Sequence, residues 1–352
     1  MKTGEKVVVT GGAGFIGTNL CHRLASDRYQ VLLYDNLSRK GSEKNLKWLI
    51  DTHGSSIQVR IADVRDQKAL REALDGAHRV YHFAAQVAVT KSLDDPLEDF
   101  EINLRGTVNV LEILRETENP PFLLFTSTNK VYGRLGDLQL IKENTRYRVP
   151  DNSFSGIGES RLLDFHSPYG CSKGGADQYV IDYARTFGIP ATVFRMSCIY
   201  GPHQFGNEDQ GWVAHLLFRA VEKEPITIYG DGRQVRDLLF IDDLVEAFLL
   251  AYEFREKCAG AAFTIGGGIK NTLSILELLE SIKRLHGDVP DMVFAPWRTG
   301  DQKFYVSDLS KFHKLTGWEP SVGTLDGISR LYRWIVESGR KEISLMEKER
   351  VA

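Results

Sequence analysis

A tyrosine and a lysine stand four positions apart in the segment HSPYGCSKGGADQY, residues 166–179. Residues four apart on a helix share a face, so a helix here would bring the Tyr169 phenol and the Lys173 ammonium together. A nearby cation favours the phenolate and lowers the pKa of a tyrosine. We therefore expect Tyr169 to accept a proton near neutral pH, provided that the rest of the chain builds a cofactor site around the pair.

A hydroxyl that holds the substrate is expected at the end of the strand-like segment FLLFTST, residues 122–128. Ligands of parallel α/β sheets bind beyond the carboxyl ends of the strands. Thr128 stands at such an end, with Ser127 as its neighbour. Thr128, Tyr169 and Lys173 are therefore the predicted catalytic residues.

The segment VVVTGGAGFIGTNL predicts a dinucleotide site between a first strand and a first helix. Gly11, Gly14 and Gly17 permit a tight turn, close approach of a diphosphate to the backbone and close packing of the helix on the sheet. The helix N-terminus offers free N–H groups to the phosphates. Asp35 ends the next strand, where a carboxylate accepts hydrogen bonds from the adenosine ribose and repels a 2′-phosphate. We expect NAD rather than NADP, although the nearby Arg39 would favour a 2′-phosphate; in a flavodoxin-like alternative the glycines only make a turn.

Short apolar segments alternate with longer helical ones over residues 6–128. The apolar segments are rich in β-branched and aromatic residues, as strands buried on both faces are: KVVVTG, QVLLYD, IQVRIAD, RVYHFAA and FLLFTST. A further strand, ATVFRMSCIYG, follows the helix of Tyr169. This alternation predicts an α/β fold of the Rossmann type, with a doubly wound parallel sheet. We expect it in residues 1–195, with segment 236–266 returning to it, and a smaller interleaved substrate-binding lobe in residues 196–352.

The composition excludes several classes of protein. The net charge of −3 over 352 residues, with scattered basic residues, argues against a nucleic-acid partner. No apolar run approaches the roughly 20 residues of a membrane span, and the N-terminus lacks the apolar region of a secretory signal. The four cysteines have no metal-ligand spacing. We therefore expect a soluble, reduced, cytoplasmic protein without a metal site.

Together these motifs resemble the extended short-chain dehydrogenase/reductase family of nucleotide-sugar enzymes. The matching segments span essentially the whole chain: TGGAGFIG, the hydroxyl before VYG, the tyrosine–lysine pair, YGDGRQVRD and RTGD. The resemblance implies an NAD-dependent enzyme that acts on a nucleotide sugar. It also implies a homodimer or homotetramer, paired through the helices that follow strands four and five.

The resemblance and the positions of residues in the motifs extend the predicted site. Beyond the glycines, Asp35, Tyr169 and Lys173, the expected cofactor contacts are Phe15, Ile16, Asn36, Ser38, Arg39, Asp63, Val64, Phe83, Ala84, Ala85, Gln86 and Asn103. Asp63 and Val64 would meet the adenine, and Asn103 would support the helix of Tyr169. The expected substrate contacts are Gln86, Asn129, Lys130, His166, Ser197, Gln204, Arg236 and Arg298, with Cys171 a further sugar contact. By the resemblance, the two arginines hold the substrate phosphates, which suits a forked guanidinium.

Departures from the family patterns distinguish between reactions. In the nucleotide-sugar 4,6-dehydratases an Asp and a Glu follow the hydroxyl, whereas this chain has Asn129 and Lys130. Neither is a carboxylic acid that could protonate a departing hydroxyl, so dehydration is disfavoured. The 4-epimerases usually carry a lysine where this chain has Val87. In the 4-epimerases, the segment between the hydroxyl and the tyrosine is also shorter than the stretch of residues 129–168 that separates Thr128 from Tyr169 in this chain.

The segment ENTRYRVPDNSFSGIGESRLLDFHSPYGCSK, residues 143–173, accounts for the extra length and is expected to line the sugar pocket. Together with STNKVYG, DNLSRKG, DFEINLRGT, SPYGCSKGGADQY and YGPHQFGNEDQGWV, it closely resembles the branch of the family that epimerises CDP-sugars at C2. The resemblance implies that Tyr169 removes the proton of the C2 hydroxyl while NAD takes the C2 hydride and later returns it to the opposite face of a transient 2-keto sugar. The alternatives are a 4-epimerase of the UDP-glucose/galactose type and, from another class, a non-catalytic NAD-binding sensor.

Overall fold

The strands of the described residues form one large sheet and three small ones. This computed structural model describes residues 4–351, and only the backbone of residues 340–351. The strands are β1 (Lys6–Thr10), β2 (Gln30–Asp35), β3 (Ile57–Ile61), β4 (Arg79–His82), β5 (Phe122–Thr128), β6 (Ile141–Lys142), β7 (Tyr147–Arg148), β8 (Ala191–Met196), β9 (Cys198–Tyr200), β10 (Ile226–Tyr229), β11 (Val235–Phe240), β12 (Ala262–Ile265), β13 (Thr272–Ser274), β14 (Met292–Ala295) and β15 (Phe304–Tyr305).

The helices connect these strands and cover both faces of the large sheet. They are α1 (Phe15–Ser26), α2 (Ser42–His53), α3 (Gln67–Leu74), α4 (Val89–Asp94), α5 (Pro96–Phe100), α6 (Gly106–Arg115), α7 (Ser167–Phe187), α8 (Trp212–Glu222), α9 (Ile241–Glu253), α10 (Arg255–Cys258), α11 (Ile275–His286), α12 (Ser310–Thr316) and α13 (Thr324–Val351). A π-helical turn, Glu101–Arg105, joins α5 to α6.

The large sheet has seven parallel strands in the order β12-β8-β5-β4-β1-β2-β3. The chain order reverses between β1 and β4, and the crevice at such a reversal, beyond the carboxyl ends of the strands, is where doubly wound folds bind ligands. The residues of β1 from Val7 to Val9 and all of β5 are buried, as strands covered on both faces should be. The predicted Rossmann-type fold is confirmed.

One detail of that prediction is wrong. The segment that forms β3 was expected to be buried on both faces, but Val59 is 36% and Ile61 is 53% exposed. The reason is topological, because β3 is the last strand of the sheet and has no neighbour on its outer side. Its composition resembles that of a central strand, and only the strand order reveals the edge.

The second half of the chain contributes to both sheets. β12 extends the large sheet beside β8, whereas β11 lies in a four-stranded sheet with β9, β13 and β15. A parallel pair, β10 and β14, and the antiparallel hairpin β6–β7 complete the strands of the described residues. The chain therefore crosses between the lobes more than once, and the predicted lobe boundaries stay a prediction.

Buried polar contacts fix α7, which carries Tyr169 and Lys173, against the sheet. Asp177 and Arg195 form an ion pair of 2.8 Å between α7 and β8, with both side chains almost inaccessible to solvent. Asn103 donates from Nδ2 to the Ser172 hydroxyl at 3.1 Å. Apolar residues of α7 such as Val180 pack with β5 and α6 in one buried cluster. The position of the tyrosine–lysine pair is thus set by the core.

Within residues 4–351, no helix combines the length and the apolar character needed to cross a membrane. The described side chains also contain no group of three or more His, Cys, Asp or Glu residues arranged to hold a metal ion.

Candidate active site

The glycine loop between β1 and α1 forms a cradle that larger residues would fill. Gly11 has a φ of 69°, a left-handed conformation that favours glycine. A Cβ atom there would lie 2.7 Å from the Ala84 amide nitrogen, and one on Gly17 would lie 2.6 Å from the Gly12 Cα. The loop therefore keeps its backbone bare, next to the carboxyl ends of β1 and β4, as a bound diphosphate requires.

The first turn of α1 offers unused donors to an anion. Gly14 is the N-cap residue, no side chain caps the helix, and its first turn has no acidic residue. The predicted contacts Phe15 and Ile16 are the first two residues of this helix. Free N–H groups and the partial positive charge of a helix N-terminus favour phosphate. This arrangement fits the diphosphate of a dinucleotide.

Asp35 ends β2 beside the glycine loop. Its carboxylate accepts hydrogen bonds from the Ala13 amide at 3.0 Å and the Leu37 amide at 2.8 Å. Burial raises the pKa of Asp35, and these amide donors oppose the rise. Asp35 thus ties the loop after β2 to the glycine loop, in the position predicted for a ribose ligand; the ribose contact itself stays a prediction.

The residues expected around the adenine form a polar group at the surface. Asn36 donates to the Asp63 carboxylate at 2.8 Å, and the Ser38 amide donates to the Asn36 side-chain oxygen at 3.1 Å. Arg65, which sequence reasoning missed, donates to Asp63 at 2.8 Å and lowers the pKa of that carboxyl to about 2. Val64 is buried. In the sequence, the position of Arg65 two residues after Asp63 could have indicated this contact.

The turn after β4 contributes more backbone than side chain. The Phe83 ring stacks on Phe248 with 5.0 Å between centroids, so it belongs to the core. Ala84 donates its amide to the Thr10 hydroxyl at 3.3 Å, and Ala85 is half-buried next to it. The Gln86 side chain donates to the Ala88 carbonyl at 2.7 Å and to Asp99 at 2.8 Å. Since these contacts hold Gln86 within the protein, its predicted ligand contacts stay predictions.

The three predicted catalytic residues lie together at the carboxyl edge of the sheet. Tyr169 and Lys173 are in the first two turns of α7, 8% and 4% exposed, and Thr128 ends β5, 8% exposed. The Thr128 hydroxyl accepts a hydrogen bond from the Lys130 amide at 3.3 Å and lies beside the Tyr169 phenol. The Tyr169 amide donates to the Ser92 hydroxyl at 3.1 Å, which fixes the start of the helix. A buried phenol, a hydroxyl and an ammonium thus share one site.

The expected acidity of Tyr169 is wrong for the protein without ligands. Burial raises the pKa of Tyr169 to about 12, and the nearby Asp99 adds to the rise, while Thr128 and Arg39 oppose it. Burial also lowers the pKa of Lys173 to about 7. The Lys173 ammonium lies 4.1 Å from the centroid of the Phe125 ring. Burial of Tyr169 therefore raises its pKa by more than the neighbouring Lys173 cation was expected to lower it.

A buried carboxylate that sequence reasoning missed connects the parts of this site. Asp99 is fully buried and accepts hydrogen bonds from Gln86 at 2.8 Å, from Asn103 at 3.0 Å and from the Ser172 hydroxyl. Asn103 also accepts from the Gln86 amide at 2.9 Å. The structure therefore places Asn103 against the helix of Tyr169, as expected. In the sequence, the position of Asp99 one helical turn before Asn103 could have indicated this contact.

Two cations face one another on the substrate side. Arg236 is 8% exposed and donates to the Val235 carbonyl at 2.8 Å, and no carboxylate among the described residues lies within ion-pair distance of it. Lys130 lies 4.0 Å from Asp301, and burial and the charge of Arg236 lower the pKa of Lys130 to about 8. Buried charges are normally paired, so this arrangement is suited to an anionic ligand.

Other predicted substrate contacts are engaged within the protein. Asn129 donates to Gln302 at 3.4 Å, and the Ser197 hydroxyl donates to the Asp237 carboxylate and to its carbonyl. The buried Gln204 donates to the Ile199 carbonyl at 3.1 Å. Arg298 donates to the Glu208 carbonyl at 2.7 Å and lies over the Tyr229 ring. These side chains stand around the crevice, and their ligand contacts stay predictions.

Two residues near the start of α7 lie apart from this group. His166 is the N-cap residue, more than a third exposed, and lies 3.0 Å from the Asp164 carboxylate. Cys171 is exposed and stands two residues from Tyr169. Residues two apart on a helix do not share a face, so Cys171 and Tyr169 point in different directions. The expected sugar contacts of Cys171 and His166 both stay predictions.

The long stretch between Thr128 and Tyr169 docks on the second lobe. The Tyr147 amide donates to the Arg233 carbonyl at 3.0 Å, and its phenol donates to Asp231 at 2.9 Å. Tyr147 also packs with Val235 and Phe304. The stretch therefore braces β11, the strand that presents Arg236, and its expected place along the sugar pocket stays a prediction.

Comparisons with known proteins agree with this geometry. Residues 7–266 match the model of the NAD dependent epimerase/dehydratase family. The chain is 40% identical to the CDP-paratose 2-epimerase of Salmonella typhi, over 94% of this chain and 98% of that protein. It is 29% identical to a putative UDP-glucose 4-epimerase of Methanocaldococcus jannaschii, over 95% and 99% of the two chains.

Among solved structures, the UDP-glucuronic acid 4-epimerase of Bacillus cereus, in complex with UDP-glucuronic acid and NAD, superimposes with a TM-score of 0.82. It has 28% identity, over 94% of this chain and 99% of that one. The glycine cradle, the buried tyrosine–lysine–threonine site and these matches lead to one conclusion. The chain belongs to the NAD dependent epimerase/dehydratase family.

Proposed function

We propose that the protein is an NAD-dependent epimerase that inverts C2 of a CDP-sugar, interconverting CDP-paratose and CDP-tyvelose. The observation that carries this proposal is the 40% identity to a CDP-paratose 2-epimerase over 94% of the chain. Relatives named for 4-epimerisation or 4,6-dehydration are 27–29% identical to this chain. Asn129 and Lys130 also lack the carboxylic acid that dehydration needs.

In this proposal Tyr169 moves the proton and Thr128 holds the oxygen. NAD, which the glycine cradle would hold, would supply the chemistry of a reversible hydride acceptor for the substrate carbon. Tyr169 accepts the proton of the C2 hydroxyl and returns it after the sugar has turned. The Thr128 hydroxyl, which lies beside the phenol, steadies the same oxygen.

The raised pKa of Tyr169 makes this proton transfer depend on added positive charge. With a pKa of about 12, the phenol is protonated at neutral pH in the protein alone. A positive charge brought close to a phenol favours the phenolate, and the oxidised nicotinamide ring carries one. Binding of oxidised cofactor would therefore lower the pKa of Tyr169 at the moment when a base is needed.

Arg236 and Lys130 are proposed to hold the substrate diphosphate. Arg236 is buried and has no carboxylate partner among the side chains that the structure describes, and the repulsion between these two cations would be relieved by an anion. A guanidinium binds phosphate oxygens in a bidentate manner. Anchoring the substrate by its diphosphate leaves the sugar free to turn, as an epimerase that reduces either face requires.

We expect Arg236→Ala to raise KM for the CDP-sugar roughly 10-fold to 100-fold, because a charge-assisted contact to phosphate is lost. Steady-state kinetics with a CDP-sugar would measure this. The control is Arg105→Ala, an exposed arginine of the π-helical turn. An unchanged KM in Arg236→Ala would exclude Arg236 from the phosphate site.

We expect the purified protein to convert CDP-paratose into a mixture with CDP-tyvelose, without accumulation of reduced nicotinamide. NMR analysis of products from CDP- and UDP-sugars identifies the base, the sugar and the inverted carbon together. Inversion at C4 of UDP-glucose, without reaction of CDP-paratose, would instead support the alternative 4-epimerase. No reaction with any sugar would support a non-catalytic sensor.

We also propose that the protein acts in the cytoplasm as a homodimer or homotetramer that pairs through α6 and α7. Exposed apolar side chains on and near these helices support this assembly: Leu97 is 76%, Tyr179 is 46% and Phe187 is 48% exposed. Apolar surface of this kind marks interfaces when it is contiguous. The cysteines are free thiols, which suits a reducing compartment.

A further inference from the structure

The loop between β9 and α8 lies against the cofactor side of the fold. We name residues 202–210 of this loop the clasp. The Pro202 carbonyl accepts from Asn19 of α1 at 3.0 Å, and the His203 carbonyl accepts from Asn45 of α2 at 3.2 Å. The centroids of the Trp48 and His203 rings lie 4.0 Å apart. Although the clasp follows a strand of the small sheet, it is thus attached to the two helices nearest the glycine loop.

The far end of the clasp closes on the loop after β2 through one charged contact. Arg39 donates from Nη2 to the Gln210 side-chain oxygen at 2.8 Å. Gln210 is held in place because its amide and that of Asp209 donate to the Asn207 side chain at 2.9 and 3.0 Å. Next to Arg39, Gly41 lies so close to the Phe205 ring that an added Cβ would overlap it. The contact therefore joins two segments that are each held by further contacts of their own.

Arg39 stands in the loop after β2, four residues after Asp35. Asp35 accepts hydrogen bonds from Ala13 of the glycine loop and from Leu37 of this loop, so the two loops are tied together. The contact from Arg39 to Gln210 therefore joins the clasp to a loop that lies beside the candidate cofactor site.

The clasp also reaches the substrate side. Arg298 donates to the Glu208 carbonyl at 2.7 Å and lies 3.5 Å from the Asp209 carboxylate. Tyr229 donates to the Glu208 carboxylate at 2.7 Å. One short segment thus contacts both the cofactor side and a residue predicted to hold the substrate phosphate.

We propose that the clasp slows the release of NAD, with the Arg39–Gln210 contact as its latch and Gln210 as a positioning residue. The need for such retention rests on the proposed function, because a hydride taken from one face of the sugar must be returned by the same cofactor. The latch joins the loop after β2 to the clasp, so it restrains two segments beside the candidate cofactor site.

The test is the rate at which bound labelled NAD exchanges with excess unlabelled NAD, measured on holoprotein without any sugar. We expect Gln210→Ala to release NAD roughly 10-fold to 100-fold faster, as the loss of a hydrogen bond to a charged group predicts. Gln210→Glu keeps an acceptor for Arg39 and should retain the slow release. Gln139→Ala, at an exposed position outside the clasp, is the control and should match the unmodified protein.

A double-mutant cycle distinguishes the latch from a general loosening of the loop. In an Arg39→Ala background, Gln210→Ala should cause no further acceleration, because its partner is already absent. Release of NAD from Gln210→Ala at the unmodified rate, or an equal acceleration in both backgrounds, would overturn the proposal. Since the exchange requires no sugar, a failure of the epimerase assignment would leave this result unaffected.

Discussion

We expect Tyr169→Phe to lower turnover roughly 100-fold to 10,000-fold, because a general acid–base group is lost. The phenol is buried beside the Thr128 hydroxyl and near Arg39 and Asp99, and phenylalanine preserves its ring while removing the proton carrier. NAD affinity should change little, since the glycine cradle is untouched. Turnover by product NMR and NAD binding by calorimetry would measure the two effects separately.

The matched control is Tyr179→Phe. Tyr179 stands on the same helix but is 46% exposed, so the loss of its hydroxyl should leave turnover unchanged. Turnover of Tyr169→Phe within a few-fold of the unmodified protein would remove Tyr169 from its proposed role and would leave the proton transfer without a carrier.

Gly17→Ala should weaken NAD binding by about 3 kcal/mol, roughly a hundredfold in affinity, because a methyl group forced into a closely packed site displaces its surroundings. The new Cβ would lie 2.6 Å from the Gly12 Cα, and backbone atoms cannot rotate away as a side chain can. The first turn of α1 would be pushed from the glycine loop, and the donors for the diphosphate would lose their alignment.

Calorimetric titration with NAD measures this loss, and circular dichroism shows whether the variant is folded. Gly136→Ala is the control, since a Cβ at Gly136 would meet no atom within 4 Å. Unmodified affinity in folded Gly17→Ala would show that the close approach of α1 to the loop does not govern cofactor binding.

The sequence predicted the parts of the site that depend on local pattern. The glycines, Asp35 and Thr128 lie at the ends of strands that short apolar segments predict, because parallel strands end at one edge of a sheet. The tyrosine–lysine pair lies on one face because helix geometry requires it. For these residues, local spacing and the topology of the fold were sufficient.

The sequence could not predict what depends on contacts between distant segments. The pKa of Tyr169 follows from burial and from Asp99 and Arg39, which belong to other segments of the chain. The exposure of β3 follows from strand order. The contact of Arg39 with Gln210 joins residues 171 positions apart, and neither residue type nor local spacing indicates it.

In the proposed reaction, hydride leaves C2 of the sugar and returns to C2 without exchange with solvent. Incubation of the protein with CDP-paratose deuterated at C2, in ordinary water, would show whether it does. We expect NMR and mass spectrometry to find CDP-tyvelose with the deuterium still at C2. Replacement of that deuterium by solvent hydrogen, or inversion at another carbon with the label undisturbed, would contradict it.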